Sequence, residues 1–209
     1  MPPDPRPIPR FIADTTQEGI PHGRFAARLR AEFAAACERL AELPAGAAVP
    51  EEVDWFPERR WGGRVWVPCS ARTESEAGEL ELFGHVSYEQ EEGGEPTGFR
   101  AAADFTDVLA EDNPEWRIDL NDEVIGRWRG ENGRAGAVTL VWGRPLVRGA
   151  FAVTAELDGL AVDQEVVTRE RFTLVALDAL EGYGDELYVE VKLWSRRGDE
   201  LAAEGLYAA

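Results

Sequence analysis

The chain has 209 residues, of which 44% are hydrophobic and 10% aromatic, including seven Trp, so it has enough apolar surface to fold around a core. Acidic residues number 40 against 22 basic ones, and the net charge of −18 disfavours nucleic acid and anionic membranes as partners. The N-terminus lacks the apolar core of a secretory signal and no later run is long enough to cross a bilayer, which predicts a cytoplasmic protein.

The first ten residues form a Pro-rich segment, with prolines at alternate positions from Pro3 to Pro9. This spacing predicts an extended arm without hydrogen-bonded secondary structure. Ile8, Phe11 and Ile12 are apolar enough to anchor the arm. We therefore expect it to pack against the body of the protein or against another subunit, which would give a homo-oligomer.

An amphipathic helix is predicted from about His22 to Leu43. Its apolar residues recur at helical spacing: Phe25, Leu29, Phe33, Cys37 and Leu40. Pro21 precedes its first turn and Pro44 follows its end. The apolar stripe is expected to pack on a β-domain of the same chain, and a docking surface for another protein is the alternative.

The segment of residues 45–63 is predicted to be a linker that is rich in aromatic residues. Trp55, Phe56 and Trp61 lie close together in it, a pattern that indicates a linker held against a core. A platform on which a ligand stacks is the alternative interpretation.

Short strands separated by turn residues are predicted from residue 64 onwards. The candidates are residues 64–71, 79–89, 98–105, 116–128, 136–142, 146–157, 160–177, 186–196 and 200–207. Asp158-Gly159, Asn132-Gly133 and the turn at Arg197 to Asp199 each predict a hairpin.

The predicted fold class is mainly β with one N-terminal amphipathic helix. We expect an antiparallel β-meander that closes as a lipocalin-like barrel, because a long meander must protect its edges, and a two-sheet β-sandwich is the alternative. Residues 1–63 would form the arm, helix and aromatic linker, and residues 64–209 the barrel domain.

Neither a metal site nor a cofactor is predicted. The two Cys and two His residues, namely His22, Cys37, Cys69 and His85, lie too far apart in sequence to supply the local ligand pairs that zinc sites use. Both cysteines are expected to be small core residues. Phosphate-binding loops, serine nucleophile elbows and His-Glu-x-x-His motifs are absent from the sequence.

His85 is the catalytic candidate, since strand alternation places it on one face with Phe83 and Ser87. A hydrogen-bonded histidine without a catalytic role is the simpler interpretation. Cys69, on the neighbouring predicted strand, would form a nucleophile pair with His85 if the two side chains met across the sheet. The sequence does not decide whether the protein is an enzyme.

Trp116, Trp128 and Trp142 are the predicted ligand-binding aromatics, with Arg144 as a clamp for a carboxylate. They suit a binding protein that holds a small apolar or amphipathic molecule inside its barrel, which is the leading functional hypothesis. One alternative is a protein-interaction or assembly component that uses the arm, the helix and the acidic surface. The other is an enzyme with an active site around His85.

Overall fold

A computed structural model of the chain describes residues 20–91, 93–129, 135–157, 159–178 and 189–206. Its contacts separate two compact units, which we call the N-terminal unit (described residues 20–116) and the C-terminal unit (described residues between 117 and 206). The domain boundary expected near Gly63 falls inside the N-terminal unit. The Pro-rich arm, its three apolar anchors and the Asn132-Gly133 turn lie outside the described residues.

Helix α1 spans Gly23–Cys37 and confirms the predicted amphipathic helix, although it is shorter. His22 is the N-cap residue and makes no capping hydrogen bond with its side chain. The helix ends early because the backbone tightens: the amides of Arg39 and Leu40 donate to carbonyls three residues back, at 3.1 and 3.0 Å. Leu40 nevertheless packs against the same core as the helix.

Five strands form one antiparallel sheet in the N-terminal unit. They are β1 (Asp54–Trp55), β2 (Arg59–Trp61), β3 (Arg64–Ser75), β4 (Gly78–Glu89) and β5 (Thr97–Thr106), in the order β1-β3-β4-β5, with β2 also paired to β3. A short 3₁₀ helix follows at Ala110–Asp112. The two short strands β1 and β2 lie in the segment predicted as a linker, and the burial of Trp55 and Phe56 confirms that this segment is held against a core.

The core of the N-terminal unit lies between α1 and one face of this sheet. Leu29, Phe33 and Cys37 of the helix meet sheet residues that alternate along the strands, such as Val67 and Cys69. Both cysteines are buried free thiols, as predicted. The helix therefore covers the sheet face that bears Cys69 and not the opposite face.

Seven strands form two antiparallel sheets in the C-terminal unit. One sheet contains β6 (Ile118–Arg129), β7 (Ala135–Pro145) and β10 (Phe172–Asp178), in the order β10-β7-β6. The other contains β8 (Ala150–Leu157), β9 (Leu160–Val166), β11 (Val189–Ser195) and β12 (Glu200–Leu206), in the order β12-β11-β8-β9. Because β7 pairs with β10 and β8 with β11, the chain crosses between the sheets instead of running as one meander.

The two sheets of the C-terminal unit pack face to face around a single apolar core. Its buried members come from both sheets: Ile118, Val141, Phe172, Leu174 and Ala176 from the first, and Val153, Ala155, Leu157, Val189, Val191, Leu193 and Ala202 from the second. At one edge the amide of Val175 donates to Oδ2 of Asp163 at 2.7 Å, so a side chain bridges β9 and β10. The arrangement is a β-sandwich.

The described strands form three separate sheets, and among them no closed barrel is found. The mainly β, antiparallel class with one helix is confirmed, and the sandwich given as the alternative fits the C-terminal unit. The hairpins β8–β9 and β11–β12 form as predicted. The predicted strand of residues 160–177 is instead two strands, because Arg169 and Glu170 make a tight turn with φ of 50° and 60°.

Candidate functional site

One face of the β10-β7-β6 sheet points away from the sandwich core, and we call it the Trp142 face. Strand alternation sends Val141 and Phe172 into the core and their sequence neighbours to this face. Three strands contribute its side chains: Asp119, Asn121 and Glu123 from β6, Leu140, Trp142 and Arg144 from β7, and Thr173 and Val175 from β10. Several of these are buried although they are not part of the sandwich core.

Trp142 lies at the centre of this face, directly between Asn121 on β6 and Thr173 on β10. The next residue, Gly143, lets β6 approach closely, because a Cβ there would overlap the backbone carbonyl of Asp119. A larger residue at Gly143 would push the strands apart. The glycine therefore helps to hold β6 beside β7, the pairing that places Asn121 opposite Trp142.

The rows on either side of Trp142 differ in polarity. Arg144 lies opposite Asp119, so one end of the face carries charged groups. At the other end, Leu140 lies between Glu123 on β6 and Val175 on β10. The Trp142 face therefore runs from a charged row through the tryptophan row to a row that is apolar on two of its three strands.

Two polar atoms in the central row are buried and lack hydrogen-bond partners. The side chains of Trp142 and Thr173 are 0% and 1% exposed, and within the described part of the chain neither Nε1 of Trp142 nor Oγ1 of Thr173 has a partner. Buried polar groups are nearly always paired, since an unpaired one costs about 1–3 kcal/mol. Such a pair indicates a place where a water or a ligand supplies the missing bonds.

The second sheet of the sandwich contains a buried tryptophan and a buried threonine whose polar atoms do have hydrogen-bond partners. Nε1 of Trp194 donates to Oγ1 of Thr154 at 2.8 Å, and that hydroxyl donates to Oε1 of Glu156 at 3.0 Å. Nζ of Lys192 then bridges Glu156 and Glu190, at 2.8 and 2.7 Å. Every polar group in this network is satisfied within the protein, which makes it a useful comparison for the unpaired groups of the Trp142 face.

Lys192 is held in its charged form by that network. Burial by itself would lower the pKa of the ammonium, but the hydrogen bonds and charges of Glu156 and Glu190 outweigh burial and raise it. A protonated amine with two carboxylate partners is a poor nucleophile. The network therefore has the chemistry of an internal ion pair and not that of a catalytic amine.

The structure brings together two of the four predicted ligand-binding residues. Trp142 and Arg144, two positions apart on β7, share a face. Trp116 belongs to the N-terminal unit, where its amide donates to the carbonyl of Asn113 at 3.0 Å. The backbone of Trp128 lies in β6, whereas its side chain falls outside the described part of the chain.

His85 and Cys69 lie on opposite faces of the N-terminal sheet, so the predicted nucleophile pair is wrong. Cys69 pairs with Gly84, and His85 pairs with Pro68, which offsets the two residues by one position across the ladder. An offset of one position turns the two side chains to opposite sides. Cys69 joins the core under α1, and the imidazole of His85 packs on Trp66 with ring centroids 5.0 Å apart.

A cleft of about 630 Å³ lies beside α1 in the N-terminal unit. Its lining residues are Gly23, Ala26, Ala27, Arg30, Glu51, Glu52, Val53, Asp54 and Trp55. Nε of Arg30 donates to the carbonyl of Pro50 at 2.6 Å, which ties the helix to the far wall. Glu51 and Glu52 are exposed, so part of the lining of the cleft consists of carboxylates that face solvent.

No family model, curated protein or solved structure matches the chain. Within the described residues, no helix has the length and apolar character that a bilayer crossing requires. In the same residues, no three His, Cys, Asp or Glu side chains converge as ligands for a metal ion.

Thr173 and Asn121 are the residues of the central row that the sequence analysis missed. Thr173 lies within the predicted strand of residues 160–177, where nothing marks it as a site residue. It reaches Trp142 only because β10 pairs with β7, and these two strands are not consecutive along the chain. The only feature of this face that could be read from adjacent residues was the alternation along β7, which places Trp142 and Arg144 on the same side. A prediction of the row would have needed the strand order.

Proposed function

We propose that this protein binds a small amphipathic molecule on the Trp142 face. The observation that carries the proposal is the pair of buried, unpartnered polar atoms, Nε1 of Trp142 and Oγ1 of Thr173. A polar group of a ligand between them would supply the missing hydrogen bonds, and the neighbouring Leu140 and Val175 would contact its apolar part.

Two other locations have less support. The interior of the sandwich, where a barrel ligand was expected, is lined by tightly buried apolar side chains such as Val141, Val153 and Leu193. The cleft beside α1 has carboxylates that water already solvates, at Glu51 and Glu52. Among the described residues, neither of these two locations has a buried polar atom without a hydrogen-bond partner, whereas the Trp142 face has two such atoms side by side.

Removal of the polar atoms of Trp142 and Thr173 tests the proposal. Trp142→Phe deletes the indole N–H, and Thr173→Val replaces the hydroxyl with a methyl group of similar size. We expect native mass spectrometry of the wild type to show an added small-molecule mass that denaturation removes. Each variant should weaken ligand binding up to about tenfold, the value of one hydrogen bond. Thr173→Val should not lower the stability of the ligand-free protein, whereas Trp142→Phe also leaves a small cavity and should lower it.

Thr154→Val is the matched control, because Thr154 is equally buried but bonded to Trp194 and Glu156. It should lower the free energy of unfolding by about 1–3 kcal/mol and leave ligand occupancy of the folded protein unchanged. The proposal is overturned if the wild type carries no added mass, as purified or after incubation with decanoate or phenylacetate. A water in place of a ligand would give that result.

A further inference from the structure

We infer that the ligand presents a carboxylate to the Trp142 face, with Arg144 as its charged partner; this rests on the proposed function. The indole N–H of Trp142 and the guanidinium of Arg144 are donors only, and the hydroxyl of Thr173 can also donate. These side chains occupy neighbouring positions on β7 and β10. A group that meets them must therefore be an acceptor.

The charged end of the face favours an anionic acceptor over a neutral one. Arg144 lies opposite Asp119. Arg171 directly precedes β10, and strand alternation places it on the same side as Thr173. Arg144 and Arg171 therefore bring two guanidinium groups to this end of the face. Guanidinium groups bind carboxylates through paired, charge-assisted hydrogen bonds.

The opposite end of the face fixes the orientation of the ligand. Glu123 lies opposite Leu140 and would repel a second anion there. Leu140 and Val175 are buried and apolar, so they suit the hydrocarbon part of an amphipathic carboxylate. The head group would therefore lie between Trp142, Thr173 and Arg144, with the tail towards Leu140.

Matched acids and alcohols separate this inference from the proposed function. We would measure the affinities of decanoate, 1-decanol, phenylacetate and 2-phenylethanol by isothermal titration calorimetry. At least one acid should bind about 10–100-fold tighter than its alcohol, as expected for a charge-assisted hydrogen bond. Arg144→Gln should remove that preference and leave the affinity for the alcohol unchanged. Arg144→Lys, which keeps the charge, should retain part of it.

Arg148→Gln is the control, because Arg148 is an exposed residue in the turn after β7. It should leave all four affinities unchanged. Two results would overturn the carboxylate assignment and leave the proposed function standing. One is equal affinity of the wild type for an acid and its alcohol. The other is a preference for the acid that Arg144→Gln does not change. Binding of none of the four compounds overturns both.

Discussion

Arg169 and Glu170 adopt the left-handed backbone conformation in the turn between β9 and β10, with φ of 50° and 60°. Thr168 and Arg171 close this two-residue loop by exchanging backbone hydrogen bonds of 2.8 and 3.0 Å. Such loops usually contain Asn-Gly or Asp-Gly, since a Cβ in this conformation costs about 1–2 kcal/mol. The turn therefore carries local strain in both of its central residues.

Glu170→Gly should relieve part of that strain. The free energy of unfolding should rise by about 0.5 kcal/mol, because the relief exceeds the entropy that a glycine adds to the unfolded chain. Urea denaturation measures the change. Glu170→Ala is the control, since it shortens the side chain but keeps the Cβ, and it should give no gain. Equal gains from Gly and Ala would show that the side chain, and not the backbone, is the source of the effect.

The same turn shows what could not be predicted at the scale of single residues. Val167-Thr-Arg-Glu-Arg171 contains none of the residues that signal a hairpin turn, so a continuous strand was expected. By contrast, Trp142 and Arg144 were assigned together to a ligand site, and they do share a face, because alternation is a local property of a strand.

At the scale of elements, one chain of polar side chains joins β8 to β11 in addition to their backbone ladder. Lys192 lies opposite Thr154, and its ammonium bonds Glu156 and Glu190 on either side. Glu156 is 8% exposed. A carboxylate buried to this degree is stable only while a cation or several donors remain beside it.

Lys192→Met should lower the free energy of unfolding by about 3 kcal/mol, because it leaves the Glu156 carboxylate buried without its cation. Urea denaturation at neutral pH measures the loss. Adding Glu156→Gln to that variant should recover part of it, and Arg197→Met, in the exposed turn after β11, should change little. Independent, additive effects of the two substitutions would contradict the ion pair.

Hairpins were predictable because their turns are encoded by a few adjacent residues. Pairs of strands that are distant in sequence were not predictable, because no local pattern encodes them. The turn chemistry at Gly159, whose φ is 75°, and at Arg197 to Asp199 lies in a few adjacent residues. The β7–β10 and β8–β11 ladders join residues separated by whole strands, and no short motif encodes them. β1 and β2, of two and three residues, were too short to show alternation.

At the scale of the whole molecule, two buried thiols and a buried tyrosine hydroxyl keep their protons to a higher pH in the folded state than in the unfolded chain. Burial raises the pKa of the Cys37 thiol from 9.0 to about 11 and that of Cys69 well above its usual range. Burial, with Glu58 nearby, also raises the pKa of Tyr88. Between pH 9.0 and 11 the unfolded chain releases protons that the folded chain retains, so stability must fall as the pH rises.

Alkaline titration tests this linkage. The Cys37 thiol alone should remove about 2 kcal/mol of stability between pH 9 and 11, since each unit of pKa shift is worth about 1.4 kcal/mol. Urea denaturation of the wild type and of Cys37→Ala at pH 7, 9 and 10.5 gives the two slopes. The variant starts less stable but should lose stability more slowly above pH 9. Parallel slopes would rule out the thiol as the source.

Alternating apolar residues and turn residues were sufficient to predict a mainly β protein, and the helical spacing of residues such as Leu29 and Phe33 located its single predicted helix. The closure of the sheets was not predictable. Whether consecutive hairpins close into a barrel or divide into two sheets depends on where the chain crosses over, here after Pro145 and after Val166. The crossing after Val166 carries no turn signal, so the sequence pattern there predicts one continuous strand.

Lys192 is the only lysine in the chain, and its side chain is 14% exposed. Reagents that acylate amines attack the neutral form, and here they meet an ammonium that two glutamates hold protonated. Acylation of this side chain would require the β8–β11 region to open first. The rate at which Lys192 is labelled would therefore report the opening of a single defined part of the sandwich, without the background signal that other lysines contribute in most proteins.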